Sequence, residues 1–344
     1  IGLSVVAVGC LLFYPASIFI TYGLFLVALF TMASGITLLQ VAANAYTSAL
    51  GDPDKASSRI SLAGGVNSFA TFVGPMIGAT IILDEDKFEK VKEAAIASGL
   101  TGDALSEAVN SVKAAAVQGP YIFLAILVIA ILLVIWKTDL PEMISAPKED
   151  GVVSGSALDY RHLKLGVLAI FVYVGAEVVI GSLMIDYLKE IKGFGDKEAA
   201  FYVSLYWGGA MIGRFAGAGL LQKIKAQVGL RFAALGAVFF VSLSILTSGD
   251  ISMYSLLIVG LFNSIMWPTI FSLSLANLGE HTTKGSGYLI MGVVGGALIP
   301  LLQAVIADVP SMGLKASFWV AVACYVYLVY FATKGYKTDE MKSV

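Results

Sequence analysis

Long apolar runs separated by short polar connections make up most of this chain. A helix needs roughly 20 largely apolar residues to cross the ~30 Å hydrocarbon layer of a bilayer. Runs of comparable length lie at 22–47, 61–83, 121–136, 163–187, 200–221, 232–246, 253–276, 287–307 and 316–332. The pattern therefore predicts an all-α polytopic membrane protein.

A further apolar run, at 1–13, begins with the first residue and is too short to span. The chain starts without Met or a polar lead-in, and no basic leader or cleavage site precedes the run, which argues against a cleaved signal peptide. We therefore expect an N-terminally truncated protein with about ten spanning segments, of which the first is incomplete.

Composition supports lipid surroundings. Hydrophobic residues make up 58% of the chain and charged residues 13%, against about 25% charged residues in soluble domains. This charge cannot cover a soluble protein of 344 residues, so membrane lipid is an expected partner. The net charge of −2 argues against a nucleic-acid partner. The two Cys and two His residues lie in no metal-ligand pattern, and no metal or organic cofactor is expected.

The distribution of Lys and Arg predicts the orientation. The short connections on one side, together with the C-terminus, carry most of these residues. Basic short loops face the cytoplasm. We therefore expect a multi-pass protein with a cytoplasmic C-terminus.

Two longer connections suggest the domain organisation. The acidic segment 84–119 contains helix-forming stretches at 88–98 and 104–116 and predicts an external helical insert. The segment 137–162 is rich in Pro, Gly and mixed charge and predicts a cytoplasmic linker. The expected domains are an N-terminal half at 1–136, the linker, a C-terminal half at 163–334 and a cytoplasmic tail at 335–344.

A weak internal repeat relates the two halves. Ala-Leu-Gly-Asp followed by Lys-Ala-Ser occurs at 49–57, and Asn-Leu-Gly-Glu followed by Lys-Gly-Ser occurs at 277–286. Parallel repeats are typical of transporters with two six-helix halves. Aligning them makes these helices the fourth and tenth of twelve, so the halves hold helices three to six and seven to twelve. The first two helices and the start of the third would then be missing.

Glu177 is the carboxylate deepest in an apolar run. Tyr173 precedes it by four residues, so both side chains share one helix face. A carboxylate inside the membrane is a natural proton or cation carrier because burial favours its neutral form. The alternative is a structural glutamate that is hydrogen-bonded to a neighbouring helix.

Several amides and one indole lie inside the predicted spans. They are Gln40, Asn44, Asn67, Asn263, Trp267 and Gln303. Amides can hydrogen-bond pairs of hydroxyls, and an aromatic plane can cover the C–H face of a sugar ring, so the set suits a neutral polyhydroxylated ligand. The alternative is hydrogen bonding between helices, worth only ~0.6 kcal/mol on average in membranes. Arg214 either reaches the membrane surface or pairs with an acidic gate residue.

No nucleophile–base constellation, phosphate loop or Cys pair occurs in the sequence. A membrane-embedded hydrolase is therefore a weak alternative, and we expect that the protein is not an enzyme.

Motifs along the chain occur together in one known family. The strongest is Phe-Asn-Ser-Ile-Met-Trp-Pro-Thr-Ile-Phe-Ser-Leu at 262–273. Others lie at 39–46, 62–63, 67–69, 140–142, 173–177, 212–215 and 291–296. In combination they resemble the major facilitator superfamily and, more narrowly, the fucose–galactose–glucose:proton symporter family. The resemblance implies a twelve-helix fold in two halves around a central sugar cavity, worked by alternating access. It also implies a bacterial source and a location in the cytoplasmic (inner) membrane.

Two departures from that family matter. In the fucose permease branch an essential glutamate occupies the position of Gln40, and Gln40 cannot carry a proton. The coupling aspartate of the first helix lies outside this chain. Asn67 matches a sugar-contacting asparagine of the family, while Glu177 stands where the fucose branch tends to have an amide. We therefore expect that the titratable role has moved to Glu177.

The expected function is secondary active transport of a monosaccharide of the fucose, glucose or galactose type, coupled to protons, with sodium as the alternative ion. The expected sugar contacts are Gln40, Asn44, Asn67, Tyr173, Asn263, Trp267 and Gln303, with Glu177 as the coupling group and Arg214 as a gating residue. The protein is expected to be a monomer. A facilitator or exporter of another small solute, and a membrane sensor that does not transport, remain alternatives.

Overall fold

The computed structural model describes residues 1–82, 85–139 and 155–338. Helices account for nearly all of them, and these ranges contain no β-strand. The first helices are α1 (Gly2–Phe19), α2 (Tyr22–Ala49), α3 (Ala56–Ile81), α4 (Glu85–Ala97), α5 (Gly102–Ala116) and α6 (Gln118–Lys137). Those that follow are α7 (Arg161–Lys192), α8 (Asp196–Leu220), α9 (Ala226–Leu246), α10 (Gly249–Asn263), α11 (Met266–Leu275), α12 (Thr282–Met291), α13 (Gly295–Ala307), α14 (Gly313–Ser317) and α15 (Trp319–Tyr330).

Eight continuous helical segments in the described chain are long and apolar enough to cross a membrane. The two remaining predicted runs coincide with α3 and α8, which carry more polar residues. The all-α polytopic architecture expected from the hydrophobic pattern is therefore confirmed.

The first helix differs from the expectation. The predicted run ended at Phe13, but α1 continues through Pro15 to Phe19 and, at 18 residues, reaches spanning length. Pro15 and Ser17 follow the apolar run, and Pro lacks a backbone N–H donor. In the structure the helix passes both, and the Ser17 hydroxyl donates to the carbonyl of Tyr14 over 2.7 Å.

The described residues fall into two compact units. Unit 1 combines the described parts of Ile1–Ala42 and Val73–Glu142. Its main packing is α1 against α6. Val6 and Cys10 of α1 pack with Ala125 of α6, and the rings of Phe13 and Tyr121 stack with centroids 3.7 Å apart.

Unit 2 combines the described parts of Ala43–Phe72 and Met143–Val344. Its central helix is α7, which packs against α8, α11, α13 and α15. The approach of α13 is close because of Gly295: a Cβ at this position would overlap the backbone carbonyl of Phe171. Unit 2 therefore takes in parts of α2 and α3 from the predicted N-terminal half as well as the C-terminal helices.

The predicted connections are described in part. Helices α4 and α5 occupy the two helix-forming stretches of the predicted insert at 84–119. Of the predicted linker at 137–162, residues 140–154 lie outside the described residues, as do 339–344 of the predicted tail and the motif at 140–142. At the end of the linker, the Ser156 N–H donates to Asp159 in a capping box just before α7. The division into halves stays a prediction.

Candidate functional site

Helix α7 holds a hydrogen-bonded pair of polar side chains. Tyr173 and Glu177 are one helical turn apart, and the Tyr173 hydroxyl donates to Glu177 Oε1 over 2.8 Å. Tyr173 is fully buried, and the Glu177 side chain is 12% exposed. The i,i+4 spacing read from the sequence therefore produces a direct contact on the buried side of the helix.

The Tyr173 hydroxyl also lies 3.2 Å from the backbone carbonyl of Asn263. That carbonyl is at the end of α10, where the helix is interrupted before α11 begins at Met266. Pro268 lacks the N–H that a continuous helix would direct to the carbonyl of Ser264, next to Asn263. The last carbonyls of a helix have no partner within it, so the break in the chain provides an acceptor for Tyr173.

Arg214 of α8 faces the same carboxylate. Its Nη2 lies 3.5 Å from Glu177 Oε1, and the Arg214 side chain is 17% exposed. Its Nη1 donates to the hydroxyl of Ser68 on α3. Glu177 therefore has a cation on one side and a hydroxyl donor on the other, in surroundings where an unpaired charge would be costly.

The Asn263 side chain lies at the centre of a buried network. Its Nδ2 donates to the Tyr206 hydroxyl over 2.8 Å, and its Oδ1 accepts from the Tyr325 hydroxyl over 2.8 Å. The Tyr206 hydroxyl in turn donates to the backbone carbonyl of Glu177 over 3.3 Å. Asn263, Tyr206 and Tyr325 are all completely buried. The network therefore ties α8, α10 and α15 to the α7 segment that carries Glu177.

Sequence reasoning missed Tyr206 and Tyr325. A signal was available, because a buried tyrosine needs a partner for its hydroxyl and both residues lie inside apolar runs. It also missed Ser68 as a partner of Arg214. Serines are frequent in this chain, and nothing in the local sequence marks this one.

Trp267, at the start of α11, is half-buried beside the network. Its ring lies 6.5 Å from that of Tyr173 at an interplanar angle of 53°, and it stacks on Phe271 with centroids 5.9 Å apart. The structure thus brings Trp267 together with Tyr173, Glu177, Asn263 and Arg214 from the predicted set.

The other predicted residues differ in burial and in the unit to which they belong. Asn44 of α2 is half-buried and Asn67 of α3 is exposed, both in unit 2. Gln40 is exposed and belongs to unit 1. Gln303 of α13 is completely buried, and its Nε2 donates to the Ser317 hydroxyl over 2.9 Å. Gln303 therefore has a protein partner at the end of α14, just before α15.

The cluster can perform simple proton chemistry. A carboxylate beside a guanidinium and a hydroxyl can be charged and paired, or neutral with a bound proton, without any other group reacting. Within residues 1–82, 85–139 and 155–338, no group of His, Cys, Asp and Glu could hold a metal ion.

Comparison with known proteins gives consistent matches. Residues 1–300 match the Major Facilitator Superfamily. The glucose/galactose transporter of Brucella abortus biovar 1 (strain 9-941) is 42% identical over 343 residues, which cover 98% of this chain and 78% of that protein. The L-fucose-proton symporter of Escherichia coli (strain K12) is 30% identical over 338 residues, covering 96% of this chain and 76% of that protein. The crystal structure of the transporter FucP of Escherichia coli in the outward conformation superposes with a TM-score of 0.84 at 30% identity, covering 96% of this chain and 80% of that one.

Proposed function

The chain belongs to the major facilitator superfamily, and from this premise we propose that it moves a monosaccharide across a membrane together with a proton. The observation that carries the proposal is the buried pair of Glu177 and Arg214, whose charged atoms lie 3.5 Å apart. Such a pair contains a carboxylate whose charge a proton can cancel, which is what coupling to protons requires. Keeping two charges in apolar surroundings is costly even when they are paired, so the pair is a candidate for a functional role.

The substrate class rests on the relatives. Those that align over nearly the whole chain are named glucose/galactose transporter and L-fucose-proton symporter. Their names favour a hexose or deoxyhexose substrate and a proton as the coupling ion. Sodium has no comparable support.

Glu177 is proposed as the proton carrier. In its charged form it pairs with Arg214 and accepts from Tyr173. When it takes a proton it loses its charge, and Arg214 must find another partner or reach water. One proton therefore changes the electrostatic state of the α7–α8 contact, which is the property that a coupling group needs.

The sugar contacts are proposed to come from Asn44, Asn67 and Trp267, whose side chains are not fully buried. Trp267 offers an aromatic plane to the C–H face of a sugar ring, and the two amides offer paired donors and acceptors. Tyr173 and Asn263 are fully buried and hydrogen-bonded to protein. We therefore propose that Tyr173 and Asn263 position Glu177 and Trp267 and do not contact the sugar in this state of the protein. The roles of Gln40 and Gln303 stay predictions from the sequence.

The location follows from the same relatives and from the basic residues in the connections. We propose the cytoplasmic membrane of a bacterial cell, with the C-terminus on the cytoplasmic side. A monomer is proposed as the working unit.

The test is uptake in proteoliposomes. Labelled D-glucose, D-galactose and L-fucose are offered with an inward proton gradient, with a sodium gradient, and with neither. We expect accumulation of at least one sugar above equilibrium with the proton gradient alone. Uptake of none of the three by protein shown to be folded would overturn the sugar assignment.

The matched variant is Glu177→Gln, which keeps the side-chain volume and one acceptor oxygen but cannot carry a proton. We expect it to lose accumulation driven by the gradient while retaining exchange of labelled for unlabelled sugar. Exchange also serves as proof of folding. Full accumulation by Glu177→Gln would remove this residue from the coupling step.

A further inference from the structure

The break between α10 and α11 brings several oxygen atoms close to Glu177. The Asn263 carbonyl, at the end of α10, lies 3.2 Å from the Tyr173 hydroxyl, and this hydroxyl donates to Glu177 Oε1 over 2.8 Å. In transporters with discontinuous helices, carbonyls at the end of a half-helix coordinate sodium ions or protons. Carboxylates and carbonyls are also ligands of hard metal cations in general. The oxygen atoms by themselves would therefore suit a metal cation beside Glu177.

A guanidinium already supplies the positive charge beside Glu177. Arg214 Nη2 lies 3.5 Å from Glu177 Oε1, the oxygen that also accepts from Tyr173, and the side chains of both charged residues are largely buried. A sodium ion bound to this oxygen would lie close to the guanidinium. Like charges repel strongly at short distance where little water screens them. Arg214 and a sodium ion would therefore compete for the same carboxylate.

Contacts with α3 position Arg214. Its Nη1 donates to the Ser68 hydroxyl, and its backbone carbonyl accepts from the Ser61 hydroxyl over 2.8 Å. One helical turn along α8, the carbonyl of Ala218 accepts from the Ser58 hydroxyl over 2.6 Å. A guanidinium cannot give up its proton in a protein. The positive charge of Arg214 is therefore permanent, and these contacts place it beside the coupling carboxylate.

The other polar groups of the network are neutral. Tyr173 contacts the Glu177 carboxylate from α7, and Tyr206 of α8 donates to the Glu177 backbone carbonyl over 3.3 Å. A hydroxyl or an amide carries no charge and offers oxygen lone pairs that a cation can use. Of the groups in this network, Arg214 alone would repel a cation. The neutral groups are Tyr173, Tyr206, Asn263 and Tyr325.

We propose that Arg214 makes the coupling site selective for protons, because its guanidinium takes the place of a metal cation beside Glu177. This inference rests on the proposed coupling role of Glu177. A proton forms a bond to one carboxylate oxygen, converts the carboxylate to a carboxylic acid and needs no other ligand. A sodium ion must exchange its hydration shell for several oxygens, and the guanidinium occupies space that the ion would need.

The first experiment removes the guanidinium. Arg214→Gln is purified in detergent at alkaline pH, and its thermal midpoint is measured in sodium chloride and in choline chloride of equal concentration. Without the guanidinium, a sodium ion can neutralise the Glu177 carboxylate. We expect sodium to raise the midpoint of Arg214→Gln by about 2 °C, because a ligand that binds only the folded protein stabilises it. The unaltered protein should have the same midpoint in both salts.

Two variants are the controls. Arg214→Lys keeps a positive charge at this position, so we expect no difference between the two salts. Glu177→Gln/Arg214→Gln also lacks the carboxylate, so the sodium shift should vanish. An equal shift in this double variant would show that sodium binds elsewhere and would overturn the proposal. The absence of a shift in folded Arg214→Gln would overturn it as well.

Competition between the two ions gives a further readout. A proton and a sodium ion cannot both neutralise one carboxylate, so the sodium shift of Arg214→Gln should shrink from alkaline to acid pH. A general effect of salt on the helices would be the same at both pH values, and that result would contradict binding at Glu177.

The second experiment uses the unaltered protein and does not depend on the folding of Arg214→Gln. Proteoliposomes at equal pH on both sides are given a sodium gradient and whichever of D-glucose, D-galactose and L-fucose accumulates with a proton gradient. We expect no accumulation with sodium alone. Sodium-driven accumulation that is lost in Glu177→Gln would overturn the exclusion of sodium by Arg214.

The outcomes separate this inference from the proposed function. If Arg214→Gln shows no sodium shift while accumulation still depends on Glu177, the role of Arg214 is overturned and the proposed function stands. If accumulation does not depend on Glu177 but the shift appears and requires Glu177, the proposed coupling role fails. Arg214 then remains the group that keeps sodium from this carboxylate.

Discussion

The hydroxyl of Tyr325 and the side-chain oxygen of Asn263, 62 residues apart in the chain, form a fully buried hydrogen bond of 2.8 Å. The other end of the same amide is bonded to Tyr206. The Asn263 side chain thus donates one hydrogen bond and accepts another. These two bonds connect the break between α10 and α11 to Tyr206 of α8 and Tyr325 of α15. The position of Trp267 and the carbonyl that contacts Tyr173 both depend on this break.

Replacing Tyr325 by Phe removes the donor to Asn263 without changing the packing volume. We expect a loss of about 1 kcal/mol, because hydrogen bonds in membranes are weaker than the ~1–3 kcal/mol cost of a buried unsatisfied group in water-soluble proteins. The thermal midpoint in detergent should fall by a few degrees. Tyr22→Phe is the control, since Tyr22 is 77% exposed. Equal midpoints for the two variants would show that this bond contributes nothing.

Glu177 and Arg214 allow a test of buried charge. Removing one partner of a buried pair costs about 3–5 kcal/mol because the other charge is left uncompensated. A lone carboxylate can take up a proton, whereas a guanidinium cannot lose one. We therefore expect Glu177→Gln to lower thermal stability more than Arg214→Gln, and the double variant to recover much of the loss.

Lys192 and Asp250 provide the matched exposed pair. Their charged atoms lie 2.7 Å apart, and the Asp250 side chain is 69% exposed. Exposed pairs contribute only about 0–1 kcal/mol. Lys192→Gln should therefore leave the thermal midpoint nearly unchanged. If Glu177→Gln/Arg214→Gln is no more stable than the less stable of the two single variants, the two charges do not compensate each other.

Trp267 should report sugar binding. Loss of an aromatic contact costs about 0.5–1.5 kcal/mol beyond its area, so we expect Trp267→Ala to raise the KM for D-galactose by roughly tenfold with a smaller effect on the maximal rate. Trp267→Phe should be intermediate and should lose the change in tryptophan fluorescence on sugar addition. The control is Trp319→Ala, because Trp319 is 43% exposed, and its KM should stay unchanged. An unchanged KM in Trp267→Ala would place the sugar elsewhere.

Two glycines should respond oppositely to the same substitution. A Cβ at Gly295 would overlap the carbonyl of Phe171, whereas a Cβ at Gly287 would meet nothing within 4 Å. Gly295→Ala should therefore separate α13 from α7 and lower stability by a few kcal/mol. Gly287→Ala should raise it by about 0.5–1 kcal/mol, because alanine loses less backbone entropy in a helix. Thermal unfolding in detergent would measure both, and a stable Gly295→Ala would contradict the described approach of the two helices.

Much of the architecture could be predicted from the sequence. Apolar length is a local property, so the runs predicted α-helical spans, and the family inferred from the motifs around 262–273 is confirmed by the comparisons. Glu177 stood out because a carboxylate in an apolar run is rare. Its contact with Tyr173 follows from helical spacing alone. The prediction that the first apolar run is too short to span was wrong, because α1 continues through Pro15 to Phe19.

Other features depend on how helices pack. In spans that are apolar on all sides, periodicity does not indicate which face turns inward. The sequence could not show that Arg214 meets Glu177, or that Tyr206 and Tyr325 share Asn263, because these contacts depend on the depth and rotation of separate helices.

The sequence by itself determined which segments are helices in a membrane, which family they belong to and which rare polar groups they carry, because these follow from residue type and spacing along one helix. Only the tertiary structure decided which of those groups are partners. It also decided that α3 meets α8 through a row of serines, since such contacts join residues more than 150 positions apart. Hydrogen bonds of this kind have no signature in either segment alone.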